Sequence, residues 1–230
     1  MTWKVTTGSL PGGLTLNSSG TITGTPAAVG ASTFTVQATG VSTDPSADGT
    51  RIDTKQLTLN VLQPLTASVS RRIAEVGVPF TAALSGTGGQ SPYTWTASGL
   101  PPGLTVSGGA IGGRPTSAGS FPATLTLSDA NGTPMTVNVT FKVAAKLAIT
   151  TRSLRATIGR SARAKLAVRG GVKPVRWTIV RGHLPAGLRL DRKTGTIVGR
   201  ASAGGSERVT FRAKDAAGGV ATKTVLVTTG

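Results

Sequence analysis

Cysteine is absent from this 230-residue chain, histidine occurs once, and acidic residues number only eight. The first absence excludes a disulfide framework and any thiolate metal site. The single histidine, His183, excludes a multi-histidine metal centre and leaves any serine nucleophile one imidazole to draw on. No Gly-x-Ser-x-Gly elbow occurs, and no glycine run leads into the Lys-Thr or Lys-Ser of a phosphate loop. No stretch approaches the roughly 18 apolar residues of a membrane span. The opening, MTWKVTTGSLPGG, lacks the basic and apolar regions of a secretory leader. The expectation is a non-enzymatic protein with no small-molecule substrate and no cofactor.

What the chain does contain is glycine, 32 residues, and proline, 13, among many Thr and Ser. That composition suits short strands joined by tight turns. One phrase recurs three times: from Trp3 as WKVTTGSLPGGLTLNSSGTITGTP, from Trp95 as WTASGLPPGLTVSGGAIGGRP, and from Trp177 as WTIVRGHLPAGLRLDRKTGTIVGRA. Each copy reads Trp, then Leu-Pro, then Gly-Leu, then Gly-x-Ile-x-Gly. In Leu-Pro-x-Gly-Leu, Pro fixes φ and Gly permits φ > 0, so the segment predicts a tight loop between apolar anchors. After each copy come strands of period two: FTVQA from Phe34, ATLTL from Ala123 and VTFRA from Val209, then LTLNV from Leu57, MTVNVTFKV from Met135 and TKTVLVT from Thr222. Two further strands precede Trp95, at Leu65 and Phe80, and two precede Trp177, at Lys146 and Arg163.

The result is an all-β reading of six or seven antiparallel strands per unit, the size and style of an immunoglobulin-like sandwich. The expected domains are 1–63, 64–145 and 146–230, joined by very short linkers. Only two residues precede Trp3, so the first repeat is expected to lack two N-terminal strands and the chain to be a fragment. All nine aromatic residues fall on core parity, with Trp3, Trp95 and Trp177 as equivalent core anchors.

The pattern Trp…Leu-Pro-x-Gly-Leu…Gly-x-Ile-x-Gly-Thr-Pro…Phe-x-Val resembles the bacterial putative Ig repeats, a cadherin-like and dystroglycan-like family. LPGGLTLNSSGTITGTP, Leu10 to Pro26, matches best; the other copies end in Gly-Arg-Pro and Gly-Arg-Ala. The resemblance implies tandem β-sandwich domains acting as spacer, stalk or adhesive module on a cell surface or in the extracellular space. Its partners would be cell-surface or cell-wall components. It implies no catalytic residue. Cadherin-like relatives raise calcium-dependent adhesion as a minor alternative, with calcium the one cofactor to test.

A calcium site needs six to eight oxygens, several from carboxylates. The densest acidic stretch, STDPSADGTRIDT, offers Asp44, Asp48 and Asp53 as weak candidates. Asp129 in DANG and Asp215 in DAAG are expected as turn residues. DRKTG from Asp191 resembles the cadherin Asp-Arg-Glu segment, but Lys193 stands where the ligand Glu would be.

Charge breaks the symmetry of the repeats. Residues 1–63 balance three bases with three acids, and residues 64–145 carry four and two. Residues 146–230 carry eighteen and three, a net +15 of the chain's +17. Arg163, Lys165 and Arg169, and Arg208, Arg212 and Lys214, alternate with apolar residues and are expected to point outward. Such a surface attracts polyanions by counterion release. The third repeat is therefore an expected attachment module for an anionic polysaccharide or similar polymer, with lipid head groups as a further source of charge and nucleic acid bound only non-specifically.

Overall fold

The computed structural model describes residues 1–41 and 49–230, all of whose regular structure is β-strand. Two compact units emerge. The first comprises Met1–Thr66 with Thr87–Pro92 and Asp129–Thr133; the second comprises Ala67–Gly86, Tyr93–Ser128 and Pro134–Gly230.

In the first unit β1 (Thr2–Gly8), β4 (Gly30–Val41) and β5 (Thr50–Val61) form a sheet in the order β1-β4-β5, and β2 (Leu14–Leu16) pairs with β3 (Ile22–Gly24). Phe34, Val36 and Ala38 of β4 are its buried residues, and Leu57, Leu59 and Val61 of β5 are half-buried.

The second repeat adds β6 (Thr66–Val69), β7 (Ile73–Glu75), β8 (Phe80–Thr87), β9 (Thr94–Ser98), β10 (Leu104–Ser107), β11 (Ala110–Gly113), β12 (Gly119–Ser128) and β13 (Pro134–Ala144). Its sheets run β10-β11-β8-β6 and β7-β13-β12-β9. Between them lies one core that includes Phe80, Ile111, Leu125 and Phe141, with Phe80 and Phe141 edge to face at 6.2 Å.

The third repeat consists of β14 (Ala148–Ile149), β15 (Ser153–Ala156), β16 (Ser161–Lys165), β17 (Val168–Arg169), β18 (Arg176–Arg181), β19 (Leu188–Asp191), β20 (Thr196–Arg200), β21 (Gly205–Lys214) and β22 (Val220–Thr229). Its sheets are β15-β22-β21-β18, β16-β20-β19 and the pair β14-β17. Its core includes Leu166, Trp177, Ile197, Val209, Phe211 and Val225.

The expected alternating strands appear, except that the one expected from Arg163 to Val168 is divided between β16 and β17, and β7 and β15 are additional. They pair in parallel with β13 and β22. They are short, three and four residues, and β15 alternates exposed Ser153 and Arg155 with half-buried Leu154 and Ala156. Compared with the second repeat, the first lacks counterparts of β6, β7 and β8 among the described residues, three strands rather than two.

The repeated phrase works as its residues require. Leu14, Leu104 and Leu188 donate their N–H to the carbonyls of Pro11, Pro101 and Pro185 at 3.0–3.1 Å, closing the same four-residue turn three times. The third position of that turn is Gly13, Gly103 or Gly187, with φ between +85° and +88°. A Cβ there would overlap the carbonyl oxygen of Thr25, Arg114 or Arg200.

The three tryptophans are not equivalent. Trp177 is 3% exposed, whereas Trp3 and Trp95 are half-buried. Phe121 and Tyr93 are half-buried too, so not every ring expected on core parity is fully enclosed. The reason lies in the hairpin after Gly-Leu. In the third repeat Trp177 N–H bonds Arg192 O at 2.9 Å, and the indole lies on Gly195, where a Cβ would fall 2.5 Å from Nε1. In the first unit Trp3 N–H bonds Ser18 O at 3.1 Å and its indole lies on Gly20. That loop covers one side of Trp3, but no second sheet of four strands covers the other. The second repeat has only Gly108-Gly109 between β10 and β11, and this short turn does not fold over Trp95.

An incomplete sandwich leaves strand edges unpaired and apolar surface wet. Limited trypsin digestion is expected to cut first at Lys4, Arg51 or Lys55, although these are only three of the chain's 25 basic residues. First cleavage within 146–230, where the basic residues concentrate, would contradict this.

Candidate functional site

His183 sits exposed beside the Leu184-Pro185 turn. Asp44 and Asp48 lie outside the described residues, and Asp53 is exposed on β5 opposite Ala38. Among the described residues no three carboxylate or imidazole side chains gather in a metal-sized group.

Asp129 and Asp215 do more than turn the chain. Asp215 Oδ1 accepts N–H groups from Ala217 at 3.0 Å and Gly219 at 2.7 Å, closing the β21–β22 turn. Its Oδ2 accepts the Val172 N–H, and the adjacent Gly171 N–H bonds Ala145 O at 2.8 Å. In the first unit Asp129 repeats this. It accepts Asn131 and Thr133 N–H on Oδ1 and Gln90 N–H at 3.0 Å on Oδ2, while Gly89 N–H bonds Gln63 O at 2.8 Å. The hydrogen bond from Gln90 leads the contributions that hold the Asp129 carboxyl below the usual range. Asp191 is also held low, first by the Lys193 N–H at 2.8 Å, so it is a loop-closing residue.

The Asp215 site contains a second acid, Glu75, which is 1% exposed. Its Oε1 accepts the Leu147 N–H at 2.6 Å, and its Oε2 has no hydrogen-bond partner of its own. A Cβ on Gly219 would overlap this carboxyl. Burial, then the contact with Asp215, pushes Glu75 up to about 7. Burial works against the Asp215 carboxylate as well, but the contact with Glu75 and hydrogen bonds from Val172, Gly219 and Ala217 hold it below the usual range. Below about pH 7 the pair therefore holds one proton, with Glu75 as the protonated member. Thus the start of the third repeat is tied to the second by a buried carboxyl pair beside Lys146.

The basic residues of the third repeat singled out by the sequence occupy three different sheets. Arg163 and Lys165 lie on β16, and Arg169 on β17; Arg208, Arg212 and Lys214 lie on β21. All six are exposed. Lys223 is an exception to outward placement: it shares parity with Val225 and Val227 and donates Nζ to Ile149 O and Thr150 O, both at 3.2 Å.

These observations define a class: tandem all-β sandwiches held together by turn glycines and buried junction carboxyls. The family model described as "Putative Ig domain" matches residues 1–61, 63–144 and 148–230, and the chain belongs to that family. No curated protein matches the chain. Among solved structures, a "putative alpha-galactosidase" of Bacteroides fragilis is 29% identical over 37% of this chain and 18% of its own, with a TM-score of 0.33. This chain thus spans under a fifth of that protein. Mouse cadherin-23 EC22-24 is 13% identical over 100% of this chain and 86% of its own, with a TM-score of 0.31. Human mucin-like protocadherin EC1-2 is 12% identical over 72% and 98%, with a TM-score of 0.32.

Proposed function

We infer that the chain is a non-enzymatic structural or adhesive segment of a bacterial cell-surface or secreted protein. Its Ig-like domains would act in tandem as spacer or adhesion module. The observation that carries this reading is the end-to-end succession of three family repeats with one to three residues between matched segments. Support comes from the way each repeat spends its recurring Trp, Leu, Pro and Gly on packing and turns. Antibodies against the chain are expected to label intact producing cells or the medium, and external protease to remove the cell-bound signal. Labelling that appears only after permeabilisation would overturn the reading.

A second reading, compatible with the first, is that the third repeat anchors the array to an anionic polymer. It is favoured by eighteen basic against three acidic residues in 146–230, set against four and two in 64–145.

A further inference from the structure

We propose that the outer face of the β15-β22-β21-β18 sheet is a docking surface for an extended, ring-free phosphodiester polymer of the polyol-phosphate kind. The proposal rests on the anchoring reading above and assigns it to one sheet of the third repeat.

The register brings the cations together. Lys214 stands opposite Arg176, and Arg212 opposite Thr178 on one side and Thr222 on the other. Arg181, past the bulge at Val180, stands opposite Thr210, and Thr210 opposite Thr224. Arg208 is two residues further along β21, beside Leu226, and Arg155 lies beyond it opposite Thr228. All six cations are exposed. Alternate residues on one strand are about 7 Å apart and neighbouring strands about 4.8 Å. Five of the six therefore follow one another in steps of about 5–8 Å along β21 and β18.

Among the described residues no acid shares this face: Glu207 pairs with buried Val227 on the inner parity, and Asp215 is buried. On the β16-β20-β19 sheet, Arg163 and Lys165 share their strands' surface with Asp191, which stands in the row of Lys165 through Thr196. The equivalent face of the second repeat is an internal control. There Thr94, Thr126 and Ser128 occupy the positions of Arg176, Arg212 and Lys214, and Lys142 is the lone cation among the strand residues.

The face fixes the chemistry of its occupant. Guanidinium forks bind phosphate oxygens bidentately, and the interleaved threonines add hydroxyl donors. No aromatic ring lies on it, so it offers no platform on which bases or sugar rings could stack. A linear polymer with charges at short, regular steps and no rings to accommodate fits what remains.

The test uses the full chain and poly(glycerol phosphate), with heparin and random-sequence duplex DNA at equal anionic-group concentration. One triple variant puts the second repeat's residues on the face: Arg176→Thr, Arg212→Thr, Lys214→Ser. The control removes as many charges elsewhere: Arg163→Thr, Lys165→Thr, Arg169→Thr. The face variant is expected to weaken poly(glycerol phosphate) binding on the order of 100-fold at about 50 mM salt, roughly fivefold per cation. Its log–log salt slope should become shallower by about 3. The control variant should lose under about fivefold. Equal losses in both variants, or a greater loss in the control, would overturn the face assignment while leaving polymer anchoring intact. Tighter binding of heparin or DNA would overturn the polyol-phosphate assignment. No binding of any polymer by the unsubstituted chain would remove both this proposal and the anchoring reading. Unchanged melting of the second and third repeats checks that both variants fold; should the face variant unfold, Arg208→Thr with Arg155→Thr on the same face replaces it, with the slope expected to fall by about 2.

Discussion

Replacing Trp177 with alanine is expected to cost the third repeat about 3–5 kcal/mol, the range for emptying a large buried aromatic site. Trp95→Ala should cost the second repeat distinctly less, on the order of 1–2 kcal/mol, because that ring is only half removed from water. The difference follows from one hairpin. The loop from Asp191 to Thr196 closes over Trp177, accepts its N–H at Arg192, and lays Gly195 on the indole. Gly195→Ala is therefore expected to destabilise the same repeat, since φ is +70° and the new methyl would meet the ring. Hydrogen exchange along β18 and β21, compared with β9 and β12, reads both losses in place. Equal costs for the two tryptophans would show that the hairpin does not bury Trp177.

This asymmetry was only partly legible in the sequence. The Trp, Leu-Pro-x-Gly-Leu and Gly-x-Ile-x-Gly sequence identified three copies of one turn, and period-two alternation located the long strands. Hairpin length was also visible: Leu188 to Ile197 spans ten residues and Leu104 to Ile111 eight. Its consequence for the tryptophan was not visible, because burial depends on how a loop folds back rather than on its neighbours in sequence. A second signal was present but unused. Gly88-Gly89-x-x-Pro92-x-x-Trp95 and Gly170-Gly171-x-x-Pro174-x-x-Trp177 repeat before each of the later tryptophans. These glycines receive the linker: a Cβ on Gly88 or Gly170 would overlap the carbonyl of Pro64 or Lys146. Outward parity of Arg163, Lys165, Arg169, Arg208, Arg212 and Lys214 was readable strand by strand, but their division among three sheets required the pairing order. Glu75 had no local signature at all. It is one acid in a three-residue strand, and its partners Leu147 and Asp215 are 72 and 140 residues away in sequence.

That pair yields the second large effect, a dependence of stability on pH. Glu75 has an ordinary value of 4.5, raised to about 7 in the folded chain, so the folded state holds a proton that the unfolded state releases. An acid shifted upward favours folding at low pH. Its contribution is lost progressively as pH rises from about 4.5 to about 7 and is flat above that. Asp215 has the opposite sign: being shifted downward, it supports folding above its ordinary 3.8 and withdraws that support as pH falls below it. Between them the second and third repeats should be most stable near pH 4–5. The Glu75 contribution lost toward neutrality is on the order of 3 kcal/mol, taking about 1.4 kcal/mol per pKa unit. Glu75→Gln keeps an acceptor for the Leu147 N–H and supplies a neutral donor to Asp215. It is expected to abolish the slope between pH 4.5 and 7 and to raise the melting temperature at pH 7.5. Glu75→Ala should instead destabilise at every pH, because it strands the Leu147 N–H and leaves a void beside Gly219. The check is denaturant unfolding from pH 4 to 8 for the three proteins. A parent stability that stays flat or climbs between pH 5 and 7, or a Gln variant that follows the parent's slope, would show that Glu75 is ionised in the folded chain and that the junction holds no shared proton.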